Sequence, residues 1–237
     1  MDAMERYDVY WRTRDRERSG ARSVERASGA LLLLERGGVR RGRLLDAGCG
    51  PGWALERFRG AGFDATGIDA SQVAVREAKS RGLDARVADL ERPPREALGD
   101  AGFDVVVLLE VLEHLLDPLG VLRRLGEVLE PGGRLVVSLP NEIALPARLS
   151  ILFGRLPFGG HEDPHVRHFD RGAARRLFDA AGCEVLAELP VSVVPPRAKL
   201  LRPFFRPLVR LFPGAFAIAT LYLLGVRDKD ARNGPER

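Results

Sequence analysis

The sequence predicts an α/β protein: a mostly parallel sheet of seven strands with helices on both faces. Three observations carry this. Short apolar runs alternate with helix-length stretches from residue 43 to residue 189, the order that βαβ units impose. Phe103-Asp104-Val105-Val106-Val107-Leu108-Leu109 is a nearly continuous apolar run, as expected of a central parallel strand covered on both sides. The first strand enters Leu44-Leu45-Asp46-Ala47-Gly48-Cys49-Gly50-Pro51-Gly52, where glycines at alternate positions let the backbone turn sharply into a helix.

The elements follow in order. Residues 1–25 are polar and Arg-rich, with Tyr7, Tyr10 and Trp11 embedded, and read as a mobile tail or as a helical cap. Residues 22–36 read as a helix whose apolar part is Leu31 to Leu34. Strand 43–47 leads to helix 52–61, which ends near Gly62. Strand 64–69 leads to helix 71–81, capped by Ser71 and stopped at Gly82. Strand 84–88 precedes a Pro-rich loop and a short helix over 92–100. Strand 103–109 leads to helix 118–129, entered through Pro118. Strand 133–138 follows the turn Pro131-Gly132-Gly133.

Residues 139–170 lack periodicity, contain Pro140, Pro146, Pro157 and Pro164, and hold His161, His165 and His168, three of the four histidines. A loop this long in a compact domain is functional or disordered, and the histidines favour function. Helix 171–181 and strand 183–189 resume the alternation, and 216–226 reads as the final strand. Between them, residues 197–212 form a basic amphipathic segment that Pro203 and Pro207 are expected to break into short turns. It either meets a membrane or lipid-like substrate or caps the sheet. The domain reading is a cap over 1–40, a main domain over 41–228 with insertions at 139–170 and 197–212, and a polar tail over 229–237.

Composition narrows the function. The net charge of +4 is carried by Arg, since Lys79, Lys199 and Lys229 are the only lysines. Acids are interspersed with the bases, so the charges read as solvated and nucleic acid is an unlikely partner. Two cysteines make no disulfide framework, which favours a reducing compartment. A charged start and the lack of a ~20-residue apolar run lead us to expect a cytoplasmic protein, with contact at the inner membrane surface through 197–212 left open.

The glycine turn selects its ligand. A dinucleotide fingerprint needs a third glycine at position 53, which is Trp. Asp46, two residues before the first glycine, would repel a pyrophosphate but suits a ligand with an ammonium and a sulfonium, such as S-adenosylmethionine. Asp69 ends the second strand 23 residues after Asp46, where an acid can accept both ribose hydroxyls. Asp89 ends the third strand and could accept the adenine amino group.

Asp46 to Gly52, Asp69, Asp89-Leu90, Glu110-Val111-Leu112-Glu113-His114 and Leu129-Glu130-Pro131-Gly132-Gly133-Arg134 stand in the order and spacing of the class I S-adenosylmethionine-dependent methyltransferases. The sequence resembles that family over roughly residues 40–190. Leu152-Phe153-Gly154-Arg155-Leu156-Pro157 and His165-Val166-Arg167-His168-Phe169 resemble its ubiquinone-biosynthesis O-methyltransferase and methionine-biosynthesis W-type branch. The resemblance implies a Rossmann-like seven-stranded sheet with the last strand antiparallel, and S-adenosylmethionine as cofactor. Cofactor contacts are then expected from Asp46, Gly48, Cys49, Gly50, Gly52, Asp69, Ala70, Asp89, Leu90 and Glu110. It also implies a lid role for the N-terminal Tyr-x-x-Tyr-Trp segment, and an acceptor among small molecules, lipid-linked intermediates or glycans.

The amino-directed Asn-Pro-Pro-Tyr-type motif is replaced by Glu110-Val111-Leu112-Glu113, which points to an oxygen acceptor. His114, His165 and His168 are the candidates for proton handling and acceptor placement. Glu110, Glu113 and His114 together resemble the metal cluster of small-RNA 2′-O-methyltransferases, so a divalent metal and an RNA acceptor form the alternative, not the favoured, reading. A non-catalytic cofactor-binding partner protein is a further alternative.

Overall fold

The computed structural model describes residues 3–92, 98, 102–156, 165–192 and 202–227. Two helices, α1 (Ala3–Thr13) and α2 (Arg16–Arg36), precede the sheet. Its strands are β1 (Arg43–Ala47), β2 (Asp64–Asp69), β3 (Ala85–Val87), β4 (Phe103–Leu109), β5 (Leu129–Pro140), β6 (Cys183–Ser192) and β7 (Ala217–Val226). Their spatial order is β3-β2-β1-β4-β5-β7-β6. Strands β1 to β5 pair in parallel, and β7 inserts antiparallel to both β5 and β6. This is the Rossmann-like sheet, with its reversed last strand, that the sequence led us to expect.

The pleat explains why the central strands are apolar throughout. Leu45, Val106, Leu108 and Val137 face one way, toward α5 (Pro118–Gly126) and α7 (Arg171–Ala180), where Leu122, Leu125 and Phe178 meet them. Leu44, Val105, Val107 and Val136 face the other way. There Leu33 and Leu34 of α2, Leu55 and Phe58 of α3 (Trp53–Gly60), and Val75 of α4 (Gln72–Ser80) cover them. The helices start where a side chain can satisfy a free N–H. Asp15 caps α2, Ser71 caps α4, Asp117 caps α5 ahead of Pro118, and Asp170 caps α7.

The predicted bounds of β1, β2 and β4 coincide with the observed ones. The larger differences lie elsewhere. Helix α2 begins at residue 16 rather than 22, because Asp15 accepts from Arg18 N at 3.0 Å and the charged first turns carry no apolar signal. Strand β5 starts at Leu129 and passes through the Pro131-Gly132-Gly133 segment by a register shift opposite Phe103 and Val105, so α5 ends at Gly126, short of the expected 129. The stretch read as unpatterned contains α6 (Leu145–Leu152), with Pro146 in the first turn where its missing N–H has no partner. None of α6 is buried, so no amphipathic period marks it. Helix α8 (Arg202–Leu211) continues through Pro207 instead of breaking, and a short α9 (Pro213–Phe216) leads into β7. Most of the expected helix over 92–100, His161, the first part of 197–212 and the tail over 229–237 lie outside the described residues. Among the described residues no helix is long and apolar enough to cross a membrane.

Candidate active site

A cavity of about 410 Å³ opens at the carboxyl ends of β1, β2 and β4, the place where wound sheets leave a crevice. Of the residues named from the sequence, Gly48, Cys49, Gly50, Asp69, Ala70, Asp89, Leu90, Glu110, His114 and His165 line it. Three of the named residues do not reach its wall. Asp46 is buried beneath the glycine turn, Gly52 faces α4, and His168 is exposed to solvent.

The turn is held from below. The amides of Gly48 and Cys49 donate to the Ile68 carbonyl at 2.8 and 3.0 Å. Gly48 and Gly50 have φ of 87° and 52°, a region that disfavours side chains. A Cβ on Gly48 would lie 2.5 Å from Val111, and one on Gly50 2.6 Å from Trp11. Gly52 serves packing instead: its Cβ would lie 2.4 Å from Leu83.

Asp69 is the keystone of the cofactor end. Its Oδ2 accepts from Gly50 N and its Oδ1 from Ser71 N, both at 2.8 Å. Burial pushes its pKa up to about 6 against those two bonds. Asp46 is fully buried, its Oδ2 has no hydrogen-bond partner, and burial with the Asp69 charge pushes it up to about 7. Cys49 is raised well above its ordinary value, first by burial and then by Asp69 and Asp46, so it stays a neutral thiol. Asp89 Oδ1 accepts from Glu91 N at 2.9 Å.

Glu110 is the one described non-glycine residue with a left-handed backbone, at φ 58°. Such a conformation costs roughly 1–3 kcal/mol and persists where its surroundings over-determine it. Here its amide donates to Ser138 Oγ at 3.0 Å, and that hydroxyl donates to Glu110 Oε1 at 2.9 Å. Buried Arg26 of α2 donates from Nη2 to Oε2 at 3.0 Å. Glu113 is wholly buried and neither carboxylate oxygen has a hydrogen-bond partner. Burial, then the neighbouring Glu110, raise it well above the usual carboxylate range. Its carbonyl accepts from Val166 N and Arg167 N at 2.9 and 3.0 Å, which docks the histidine segment against the site.

The acceptor end holds the imidazoles. The rings of His114 and His165 lie edge to face at 4.8 Å. His165 Nδ1 is 2.7 Å from Glu142 Oε1, and His168 Nδ1 bonds the other oxygen of the same carboxylate. Burial raises Glu142, but the two histidine bonds outweigh it and hold it below its ordinary value. His168 is therefore a second brace on Glu142. Ligand atoms of Glu113, His114 and His165 all lie within 4.8 Å of one another, a set that could hold a metal ion.

The N-terminus closes the cavity. Tyr7, Tyr10 and Trp11 line it from α1, and Tyr7 Oη donates to the His114 carbonyl at 3.1 Å. Burial pushes the Tyr7 phenol up to about 12. Asp8 pins α1 to the start of α4 by accepting from Ser71 Oγ at 2.6 Å and Val73 N at 3.1 Å. Sequence reasoning missed Glu142, Arg22 and Arg26. The arginines sat in a polar, Arg-rich stretch and a helix read from its apolar part alone, and Glu142 in a stretch without period.

Fold and site together define a nucleoside-cofactor enzyme class, and the comparison with known proteins names it. The chain belongs to a methyltransferase domain family, whose model matches residues 10–188. It is 32% identical over 154 residues to a ubiquinone biosynthesis O-methyltransferase of Idiomarina loihiensis, covering 61% of this chain and 63% of that protein. It is 36% identical over 129 residues to the like-named protein of Ralstonia nicotianae, covering 51% of this chain and 54% of that protein. The chain thus spans between half and just under two thirds of these relatives' length. Magnesium protoporphyrin IX methyltransferase from Synechocystis, solved with bound SAH, shares the fold at a TM-score of 0.62 and 19% identity, over 89% of this chain and 85% of that one.

Proposed function

We propose that this protein transfers the methyl group of S-adenosylmethionine to an oxygen of a small-molecule acceptor, a class that includes lipid-linked intermediates and glycans. The observation that carries this reading is the acid pair at the glycine turn, Asp69 on the cavity wall and Asp46 buried beneath it, both raised in pKa by burial. A cationic ligand offsets the cost of such buried carboxylates, and a pyrophosphate would add to it.

When bound, the cofactor supplies an electrophilic methyl group on a cationic sulfur. The residues of the chain do the rest. Asp69 would accept from the ribose hydroxyls and Asp89 from the adenine amino group, and Leu90, which lines the same cavity, would flank the base. Arg22 of α2 lines the cavity from an exposed position near other arginines, and suits the carboxylate of the methionine portion. The α1 aromatics act as a lid that excludes water. His165, oriented through Nδ1 by Glu142, is the base for the acceptor hydroxyl proton. With that proton removed by His165, the acceptor oxygen would be free to take the methyl group, the sulfur leaving as a neutral thioether. His114, packed against His165, positions the acceptor.

Calorimetry tests the reading. S-adenosylmethionine is expected to bind, whereas saturation by NADH or ATP instead would overturn the proposal. Affinity is expected to rise about fourfold between pH 5.5 and 8, because Asp69 on the cavity wall must ionise to accept the ribose hydroxyls, while Asp46 adds its charge from beneath the turn. S-adenosylhomocysteine, which lacks the sulfonium, should show a shallower dependence. The same shifts act on stability: with folded-state values above the ordinary value of 3.8, both groups stabilise the fold at low pH. That contribution is lost as pH rises through about 6 to 7.

A second reading rests on the orphaned Glu113 carboxylate beside His114 and His165. These three residues fit a divalent ion, which would polarise the acceptor hydroxyl and take over the role of a base. A chelator is expected to leave turnover unchanged; its abolition, with restoration by added Mg²⁺ or Mn²⁺, would select the metal reading.

A further inference from the structure

Two apolar segments stand out of the body of the molecule. In α6 and the residues after it, Leu152, Phe153 and Leu156 are 75%, 77% and 78% exposed. In α8, Phe204 and Leu211 are 74% and 69% exposed. Helix α6 buries none of its residues, so its leucines and isoleucine do not serve the core. Exposed apolar surface of this density marks an interaction site.

The two segments share one root at the mouth of the cavity. Strand β5 ends at Pro140 beside the start of β7, paired Pro140 to Ala219. Asn141 staples them. Its amide donates to the Ile218 carbonyl at 2.8 Å, and its side chain donates to Gly214 and Ala217 carbonyls at 3.1 and 2.7 Å. Pro140 and Ile218 themselves line the cavity.

We infer that these segments form an interfacial membrane-binding face that seats the cavity mouth on an anionic bilayer. Their charge selects this occupant. Residues 143–156 and 202–218 carry Arg148, Arg155, Arg202, Arg206 and Arg210 and not one Asp or Glu. Apolar side chains flanked by cations are the composition that enters the headgroup boundary of anionic lipid. A second copy of the chain fits poorly, because a two-fold interface would set this acid-free basic patch against itself. No described helix can span the bilayer, so the contact is peripheral. Resting on the methyltransferase reading above, the face further implies an amphiphilic acceptor whose apolar part stays in the lipid while its hydroxyl enters the cavity.

The test is co-sedimentation of the full chain with phosphatidylglycerol–phosphatidylcholine vesicles and with pure phosphatidylcholine vesicles. Binding is expected to the anionic vesicles, weakened by added salt. The double variants Leu152→Asp with Phe153→Asp, and Phe204→Asp with Leu211→Asp, should each lower vesicle binding about tenfold or more. Circular dichroism and S-adenosylhomocysteine affinity should stay unchanged, since none of the four residues lines the cavity. Wild-type indifference to anionic vesicles, or variants that bind as wild type, would overturn the inference. So would a wild-type dimer, seen by light scattering without lipid, that the variants dissociate. Loss of nucleoside binding in the wild type would instead remove the methyltransferase reading and leave the vesicle result standing.

Discussion

Asp69→Ala is expected to weaken S-adenosylhomocysteine binding by about 1–3 kcal/mol, roughly fivefold to 150-fold in dissociation constant by calorimetry. Two losses add. The carboxylate is the proposed acceptor for the ribose hydroxyls, and it also bonds Gly50 N and Ser71 N. Removing it frees both amides and loosens the turn. Asp69→Asn separates the two: the amide oxygen can keep one backbone bond, while its NH₂ meets the other amide as donor against donor. Binding by the asparagine variant should therefore fall between wild type and alanine. Unchanged affinity in Asp69→Ala would remove Asp69 from the cofactor site.

His165→Ala is expected to lower kcat by about 10²–10⁴, the range that a positioned general base supplies. S-adenosylhomocysteine affinity should stay near that of wild type, because the role proposed for His165 is toward the acceptor and not the nucleoside. Turnover is followed as S-adenosylhomocysteine release with phenolic and sugar hydroxyl acceptors. Glu142→Gln keeps the shape and removes the charge that orients the imidazole. It should give a smaller loss than His165→Ala and should also release His168, which shares the carboxylate. A His165→Ala enzyme as fast as wild type would move the base elsewhere.

The cofactor end was legible in the sequence because its parts are local. Glycines at alternate positions, an acid at the end of β2 and another after β3 each act within a few residues of a strand end, and strand ends are marked by short apolar runs. The structure puts Gly48, Gly50, Asp69, Asp89 and Leu90 on one wall. What the sequence could not convey is depth. Asp46 and Gly52 belong to the same motif, yet one lies under the turn and the other packs on Leu83. Facing inward or outward at a turn depends on what packs against it.

The acceptor end was only half legible. Three histidines in a long loop drew notice, but their order in the chain did not rank them. Glu142 ranks them in space: it holds His165 at the cavity and leaves His168 outside. Arg26 lies 84 residues from its partner Glu110, and no periodicity connects such a pair.

The chain's own pattern of apolar runs, caps and glycines determined the wound sheet, its strand order of appearance and the charge of the cofactor cleft, since those follow from local backbone preference and from what a strand must bury. Only tertiary packing decided the Glu142 brace, the buried and unpartnered Glu113 carboxylate, the docking of α1 through Asp8 and the joining of α6 and α8 at Asn141. Each of these depends on contacts between segments distant along the chain, and such contacts exist only once burial has brought the segments together.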